Sequence, residues 1–254
     1  MKEKRFQEIL ELIDQSGEVQ SSVLAKRFQV SEVTIRRDLD SLAKAGHIIR
    51  THGGAMARKP RMVSEPPYSN RICQQATAKD QLATKALSLI SPTDSVYLDS
   101  GTSSLHVASA FPSEASNTII TNGLDIAQEL ISRSRLSVIM IGGELKSNTL
   151  STRGNGAERQ LQEFQVEVAF LGCNAVSSIG QVMIGSTVEV GIKSIARSIG
   201  RKIYLLADSS KFNTHSLISY ANVADFDGII TDAGLSKETR QSIENLGGTF
   251  IIAE

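Results

Sequence analysis

The sequence predicts an α/β protein of two domains: a small N-terminal domain of three helices and a β-hairpin, and a larger domain with a mostly parallel sheet. Three observations predict this architecture. Apolar residues recur at helical spacing over residues 6–42, and a Gly-Gly turn follows at 53–54. Three of the five prolines fall within residues 60–67. Short apolar runs then alternate with helical patterns as far as residue 253.

The first two helices of the small domain are recognised by their apolar residues. The first helix has a stripe formed by Phe6, Ile9, Leu10 and Ile13, and the second contains Val23, Leu24, Ala25 and Phe28. Ser21 or Ser22 is expected to cap the second helix. Gln29 and Val30 leave room for only a tight turn before the next helix, so the second and third helices predict a helix-turn-helix unit.

The third helix has the features of a DNA-reading helix. Ser31 can cap it, because its hydroxyl can accept the orphan N–H groups of the first turn. Arg36 and Arg37 lie off the apolar face made by Ile35, Leu39 and Leu42, and adjacent arginines near a helix start suit the major groove. Solvated arginine-rich helices are also common, so the arginines alone would not decide between DNA and solvent.

The hairpin that follows the third helix favours the DNA-binding interpretation. Ile48 and Ile49 are β-branched and Gly53-Gly54 permits a tight turn, which predicts a wing with Arg50, Thr51 and His52 near its tip. The order helix, turn, helix and wing is that of a winged helix-turn-helix domain. The candidate DNA-binding residues are Ser31, Val33, Thr34, Arg36, Arg37, Arg50, Thr51 and His52.

The stretch SEVTIRRDL at residues 31–39, followed by L, G, IIR and HGGA up to residue 55, resembles the N-terminal signature of the DeoR family of bacterial transcriptional regulators. The resemblance covers essentially the whole chain. It implies a DNA-binding regulator whose second domain senses a small molecule.

Charge and composition agree with that expectation. The net charge is zero, but residues 1–62 hold 12 Lys and Arg against 8 Asp and Glu, so the remainder is acidic. A basic head on an acidic body is typical of a DNA-binding domain carried by another domain, although a difference of four charges is small. No apolar run approaches a membrane span and no secretory signal is visible, so a cytoplasmic protein without a membrane partner is expected. The two cysteines and four histidines form no ligand cluster, so neither a metal nor a cofactor is expected.

Pro60, Pro66 and Pro67 mark the domain boundary, because proline can continue neither a helix nor a central strand. The predicted organisation is a DNA-binding domain over residues 1–57, a linker over 58–70 and an effector-binding domain over 71–254. The basic residues near Pro60 could contact DNA phosphates or remain solvated.

The second domain begins with a helical pattern over residues 70–89, after which strands and helices alternate. The predicted strands are the short apolar runs in SVYLDSG, NTIITNG, LSVIMIGG, EVAFLGCN, KIYLLADSS and DGIITDAG and the final run 249–253. The predicted helices lie near 105–111, 124–131, 156–164, 188–199 and 237–246. This alternation predicts a Rossmann-like, mostly parallel α/β effector domain covered on both faces.

Ligands of such sheets bind at the carboxyl ends of the strands, and several strand ends in this chain are polar. The segment Asp99–Ser104 places a glycine and several hydroxyls at the start of a helix, where N–H groups can hold an anion. An ordinary capped turn would use the same residue types. Glu189 and Lys193 are spaced i, i+4 on a predicted helix, so the bland alternative to a role in the site is a surface ion pair between them. Together the strand ends suit a small, polar, anionic ligand such as a sugar phosphate.

The ordered set of strand ends resembles the effector domain of DeoR regulators, which is related in fold to sugar-phosphate isomerases such as ribose-5-phosphate isomerase. The resemblance implies an effector site formed by Asp99, Gly101, Thr102, Ser103, Ser104, Thr121, Asn122, Gly142, Gly143, Glu189, Lys193, Asp208 and Lys211. Ser103 stands where the family often has Thr. Asn174-Ala175 stands where it commonly has Asp-Gly, and this loss of a carboxylate weakens the case for isomerase chemistry.

The resulting expectation is a repressor of a sugar or carbohydrate operon, controlled by a phosphorylated sugar or related metabolite. Its expected partners are double-stranded operator DNA, the effector and a second copy of the chain, in a dimer or tetramer. The alternatives are a sugar-phosphate isomerase with an appended DNA-binding domain and a DNA-binding protein with an inactive second domain. No catalytic residue is assigned, because nothing in the sequence requires turnover.

Overall fold

A computed structural model describes residues 2–57, 68–132 and 135–254. Over these residues the chain divides into two compact units: residues 2–57 together with residues 213–215, and the rest of residues 68–254. The predicted linker over 58–70, with its three prolines and its basic residues, therefore lies mostly outside the described residues, and its exact bounds stay a prediction.

The N-terminal unit consists of three helices and a small sheet. In chain order its elements are α1 (Lys2–Ser16), β1 (Glu18–Gln20), α2 (Ser21–Phe28), α3 (Glu32–Lys44), β2 (Ile48–Arg50) and β3 (Gly54–Ala57). The sheet is antiparallel with the order β1-β3-β2. Ile9, Ile35 and Leu39 are fully buried between the helices and the sheet. This is the winged helix-turn-helix that the sequence predicts.

Two details of this unit differ from the sequence prediction. Ser21 and Ser22 are not caps but the first two residues of α2, whose N-cap position is held by Gln20 without a side-chain hydrogen bond. Strand β1 was not predicted, since three residues are too few to show a period. Gly54 explains how β1 approaches the wing: a Cβ there would lie 1.9 Å from the carbonyl oxygen of Val19.

The C-terminal unit is a seven-stranded α/β sandwich. Its elements are α4 (Tyr68–Cys73), α5 (Ala76–Leu87), β4 (Ser95–Leu98), α6 (Thr102–Ala110), β5 (Thr118–Thr121), α7 (Leu124–Ile131), β6 (Ser137–Met140), β7 (Glu144–Lys146), β8 (Ser151–Arg153), α8 (Asn155–Gln162), β9 (Val166–Gly172), β10 (Ala175–Val176), β11 (Gln181–Ile184), α9 (Val190–Ile199), β12 (Gly200–Leu206), β13 (Ile218–Asn222), β14 (Gly228–Asp232), α10 (Lys237–Asn245) and β15 (Phe250–Ala253).

The main sheet has the strand order β15-β14-β12-β9-β4-β5-β6, and all its neighbouring pairs are parallel. Helices α5, α6 and α7 contribute to the core on one face, and α8, α9 and α10 to the core on the other. The chain runs outward from β4 to β6 and returns to β9 on the other side of β4. The carboxyl ends of β4 and β9 therefore flank the switch point, where open α/β sheets bind ligands.

The single helix predicted over residues 70–89 is wrong. The structure has two helices, α4 and α5, separated at Gln74 and Gln75. Gln75 has φ of 53°, in the left-handed region, which interrupts the helix without a glycine or proline to signal the break.

Two antiparallel additions were also missed. Strands β7 and β8 form a hairpin, and β10, β11 and β13 form a separate three-stranded sheet. Their two to five residues show no clear alternation. Within the described part of the chain, none of the helices combines the length and the apolar character needed to cross a bilayer.

Candidate functional site

Helix α3 presents the predicted DNA-reading side chains to solvent. Ser31 caps the helix as expected, because its Oγ accepts a hydrogen bond of 3.2 Å from the Thr34 amide. Val33, Arg36 and Arg37 are exposed, while Ile35 on the opposite face is fully buried. Arg36 Nη2 lies 3.4 Å from a Glu32 carboxylate oxygen, and both side chains are largely exposed, so this pair holds Arg36 only weakly.

The wing is tied to α3 through Arg50. Its Nε donates to Asp40 Oδ1 over 2.8 Å, and its Nη1 donates to the carbonyl oxygen of Gly54. Two of the donor groups of Arg50 are therefore already used within the unit. Arg50 thus has a structural role in holding the wing, and it is also a candidate DNA contact. Thr51 is half-buried in the turn and His52 is exposed at its tip.

In the C-terminal unit, Asp99 lies directly after β4 at the switch point. Its Oδ2 accepts hydrogen bonds from Lys193 Nζ and, over 2.9 Å, from the amide of Gly172 at the end of β9. Lys193 also donates to the carbonyl oxygen of Gly172 over 3.0 Å and lies over the ring of Tyr220. Burial raises the pKa of the Asp99 carboxyl, although the Lys193 ammonium acts in the opposite direction.

The structure corrects the interpretation of Glu189 and Lys193 as a surface pair. Both side chains are buried, and each pairs with a different residue. Lys193 pairs with Asp99, and Glu189 accepts a hydrogen bond of 3.1 Å from Lys146 in the β7–β8 hairpin. Glu189 lies in a 3-10 turn before α9 rather than in the same α-helix as Lys193, so the i, i+4 geometry does not apply.

Asn122, just after β5, is hydrogen-bonded to β4, to the loop after β4 and to β8. Its Oδ1 accepts from Tyr97 Oη over 2.9 Å and from the Ser100 amide over 3.1 Å, and its Nδ2 donates to the carbonyl oxygen of Thr152 over 3.1 Å. This network fixes the backbone immediately before Gly101. Asn122 is buried, and both its Oδ1 and its Nδ2 are engaged in hydrogen bonds within the protein. Its role in the structure is therefore to fix the conformation of the loop.

The loop that begins at Gly101 leads into α6. Gly101 has φ of 130°, a conformation that favours glycine, and no side chain caps the helix. Thr102 and Ser104 are buried and Ser103 is half-buried. The start of α6 thus combines amide groups, hydroxyls and the positive end of the helix dipole at the edge of the switch point, which is suited to an anion.

The predicted residues at the ends of β5 and β6 make local contacts. Thr121 Oγ1 accepts from the Gly123 amide over 3.0 Å, and the Gly142 amide donates to Gln160 Oε1 over 2.7 Å. Gly143 has φ of 147°, and a Cβ there would lie 2.7 Å from the carbonyl oxygen of Arg153. These contacts give each residue a role in the turns, and an effector contact at them stays a prediction.

Asp208 and Lys211 lie in the loop after β12. Asp208 Oδ1 accepts hydrogen bonds from the amide and the hydroxyl of Ser210. Lys211 is half-buried, and its charge acts on the thiol of Cys173 together with that of Lys193. Burial nevertheless raises the pKa of Cys173 to about 12, so its thiol stays protonated at neutral pH.

Two carboxylate oxygens in this region have no hydrogen-bond donor among the residues that the structure describes. They are Asp99 Oδ1 and Asp208 Oδ2, and both belong to side chains that are almost completely buried. The hydroxyl of Thr231, at the end of β14, is also buried and has no hydrogen-bond partner among the described residues. Buried acceptors without donors are costly, which makes these strand ends candidates for contact with a polar ligand.

Sequence reasoning missed Lys79, a buried lysine of α5. Its Nζ donates to the carbonyl oxygen of Arg71, and its charge interacts with Lys211 and Asp208. Burial, followed by the positive charge of Lys211, lowers the pKa of Lys79 to about 8. The local sequence resembles an ordinary exposed helix, so only the interaction with the distant loop identifies it. Tyr97, Lys146 and Tyr220, which hold the predicted residues in place, were missed for the same reason.

Asn174 has a local structural role. Its side-chain Oδ1 accepts a hydrogen bond of 3.0 Å from the backbone amide of Gly185, and its backbone amide donates to the carbonyl oxygen of Met183. Across the described ranges, no group of three or more His, Cys, Asp or Glu side chains is placed to hold a metal ion.

Comparison with known protein families finds a match for each of the two units. The DeoR-like helix-turn-helix domain family matches residues 5–61, and the DeoR C terminal sensor domain family matches residues 74–233. The glycerol-3-phosphate regulon repressor of Escherichia coli is 30% identical over 91% of this chain and 90% of its own length. The L-fucose operon activator of Haemophilus influenzae is 29% identical over 93% of this chain and 94% of its own.

Among solved structures, ribose 5 phosphate isomerase A from Neisseria gonorrhoeae aligns with 54% of this chain and 53% of its own, at 15% identity and a TM-score of 0.39. The family matches together cover both units, and the full-length relatives are transcriptional regulators. The chain therefore belongs to the DeoR family of transcriptional regulators, with a helix-turn-helix DNA-binding domain followed by a sensor domain.

Proposed function

We propose that this protein represses an operon of sugar or carbohydrate metabolism and that a phosphorylated sugar or related metabolite controls its binding to operator DNA. The names of relatives support the sugar connection: one represses a glycerol-3-phosphate regulon and another activates an L-fucose operon. Because these two names differ in the direction of control, repression is the part of the proposal that a reporter assay must decide.

The proposal for DNA rests on α3. Its exposed Arg36 and Arg37 and the wing residue His52 belong to one unit, in which the Arg50–Asp40 ion pair joins the wing to the helix. A dimer or tetramer is proposed because operators of this domain class consist of two half-sites that a two-fold symmetric protein reads.

The proposal for the effector rests on one observation above the others, the two buried carboxylate oxygens of Asp99 and Asp208 that lack donors among the described residues. Sugar hydroxyls would supply those donors. The phosphate would instead bind the start of α6, at Gly101–Ser104, with Lys211 compensating its charge, since a carboxylate beside a phosphate would repel it. Ligand binding would change operator affinity by a coupling of about 1–3 kcal/mol.

A thermal-shift screen tests the effector class. The full chain is heated with sugar phosphates and with their unphosphorylated parents, and a ligand at 100 times its Kd should stabilise by about 2.7 kcal/mol. A shift with a phosphorylated compound and none with its parent is the expected result. Equal shifts for the two would contradict the phosphate assignment. An aldose–ketose isomerase assay on the same hits distinguishes the enzyme alternative, which predicts turnover.

A further inference from the structure

Helix α4 is a short helix at the surface of the C-terminal unit. It is six residues long, and none of its residues is buried. Its C-terminal end is fixed by the Lys79 ammonium, which donates to the carbonyl oxygen of Arg71, and Arg71 Nη2 lies 3.5 Å from the carbonyl oxygen of Asn148. A cation at the C-terminus of a helix satisfies an unpaired carbonyl and favours the dipole. The Lys79 ammonium is therefore one of the groups that hold the end of α4.

Lys79 is also within electrostatic reach of two residues of the proposed effector site, Asp208 and Lys211. Only 3% of its surface is exposed, and the charged groups that act on it are Lys211, Asp208, Arg71 and the thiol of Cys73. Two lysines close together repel each other unless an anion lies between or beside them. An effector phosphate near Lys211 would thus attract the Lys79 ammonium away from the Arg71 carbonyl.

We propose that Lys79 is the positioning residue that couples the sensor site to α4: its ammonium caps the Arg71 carbonyl when the site is empty and turns toward an anion when the site is occupied. The proposal rests on the proposed effector site. In sequence, α4 is the first described element of the C-terminal unit after the DNA-binding domain, so it is the part of this unit nearest to that domain along the chain.

Amide hydrogen exchange of the full chain tests this coupling, with sulfate as the anion probe and chloride at equal ionic strength as the control. In the wild type, sulfate should speed exchange over residues 68–75 and slow it over 99–105. Lys79→Met should speed exchange over 68–75 about tenfold without any anion, the effect of losing a hydrogen bond to a charged group, and sulfate should add nothing. Lys85→Met, on the same helix, is the matched control and should behave as the wild type.

The pH dependence of sulfate affinity gives a readout that a merely structural lysine would not affect. The pKa of Lys79 is about 8 in the ligand-free protein, and a bound anion favours the protonated amine. The affinity for sulfate should therefore be highest below pH 8, where Lys79 is protonated. Above pH 8 it should fall by up to about tenfold per pH unit. Lys79→Arg, which stays charged, should bind sulfate equally at pH 7 and pH 9.

The possible results distinguish a failure of the proposed coupling between Lys79 and α4 from a failure of the proposed anion site. Slower exchange over 99–105 with no change over 68–75 in the wild type would leave the anion site standing and overturn the coupling. Sulfate without effect on either segment would overturn both. Unchanged exchange over 68–75 in ligand-free Lys79→Met would show that Lys79 does not hold α4, and a flat pH profile in the wild type would remove Lys79 from the anion site.

Discussion

At the residue scale, Arg5 and Asp38 show how the DNA-binding domain accommodates a buried charge. Asp38 lies on the inner side of α3, with 4% of its side chain exposed, and its Oδ2 lies 2.7 Å from Arg5 Nε in α1. The pair connects the first helix to the recognition helix. Removing the arginine would leave a buried carboxylate without its partner, and such a loss costs much more than an exposed ion pair contributes.

We therefore predict that Arg5→Met lowers the free energy of unfolding of the DNA-binding domain by about 1–3 kcal/mol, measured by urea denaturation. Arg36→Met is the matched control. Since Arg36 and Glu32 are both exposed, their pair should contribute less than about 0.5 kcal/mol. Equal losses in the two variants would contradict the importance given to burial.

The two arginines of α3 are expected to differ in their DNA contacts. We predict that Arg37→Ala weakens operator binding by about 1–3 kcal/mol if Arg37 reads a guanine. Arg36→Ala should act on every sequence alike and should reduce the salt dependence by about one unit of slope, because a phosphate contact is lost. Gel-shift titrations at several salt concentrations measure both effects. Unchanged affinity in the folded double alanine variant would refute the assignment.

At the element scale, the start of α3 depends on Ser31. Its Oγ accepts from the Thr34 amide, so Ser31→Ala should lower the stability of the domain by about 1 kcal/mol. Ser31→Asp should keep the cap, since aspartate is an equally good N-cap residue, yet it should weaken operator binding by repelling DNA phosphates. Thermal unfolding and gel shifts separate the two effects. If Ser31→Asp binds DNA as the wild type does, Ser31 does not face the DNA.

The elements that could be predicted from the sequence are those with a clear period or a strong boundary signal. The seven strands of the main sheet are apolar runs between helices, and α3 has both a cap and an apolar stripe. The break at Gln75 could not be predicted, because only its positive φ, set by the packing of α4 and α5, reveals it. Strands β10, β11 and β13 are defined by pairing between distant segments, which local patterns do not show.

The same distinction applies to the sensor site. The positions of Asp99 and Asp208 at strand ends could be predicted, because each comes just after an apolar run and the fold brings the carboxyl ends of parallel strands to one edge. The partners of Glu189 and Lys193 could not, because spacing along the chain suggested that they pair with each other. The pairs Lys146–Glu189 and Asp99–Lys193 join residues 43 and 94 positions apart.

At the scale of the whole molecule, we predict that the two units fold independently. Pro66 and Pro67 lie between them in sequence, and few contacts are expected to cross such a segment. Limited proteolysis should cut between about residues 57 and 70 and release a folded C-terminal fragment. Size-exclusion chromatography should find this fragment oligomeric. A monomeric fragment would contradict the proposal that the sensor domain contributes to self-association.

The central claim is that a phosphorylated ligand at the Gly101–Ser104 loop controls operator binding. Two variants isolate it: Gly101→Val strains a backbone whose φ is 130°, and Lys211→Ala removes the proposed countercharge. Neither change lies in the DNA-binding domain, so both variants should bind the operator as the wild type does when no ligand is present.

The measurement is operator affinity by fluorescence anisotropy, with and without the phosphorylated ligand found by the screen and with its unphosphorylated parent. In the wild type the phosphorylated ligand should change affinity by about 5- to 150-fold and the parent should have little effect. In both variants the response to ligand should be lost. A response that survives in Gly101→Val, or equal responses to the ligand and its parent, would contradict the claim.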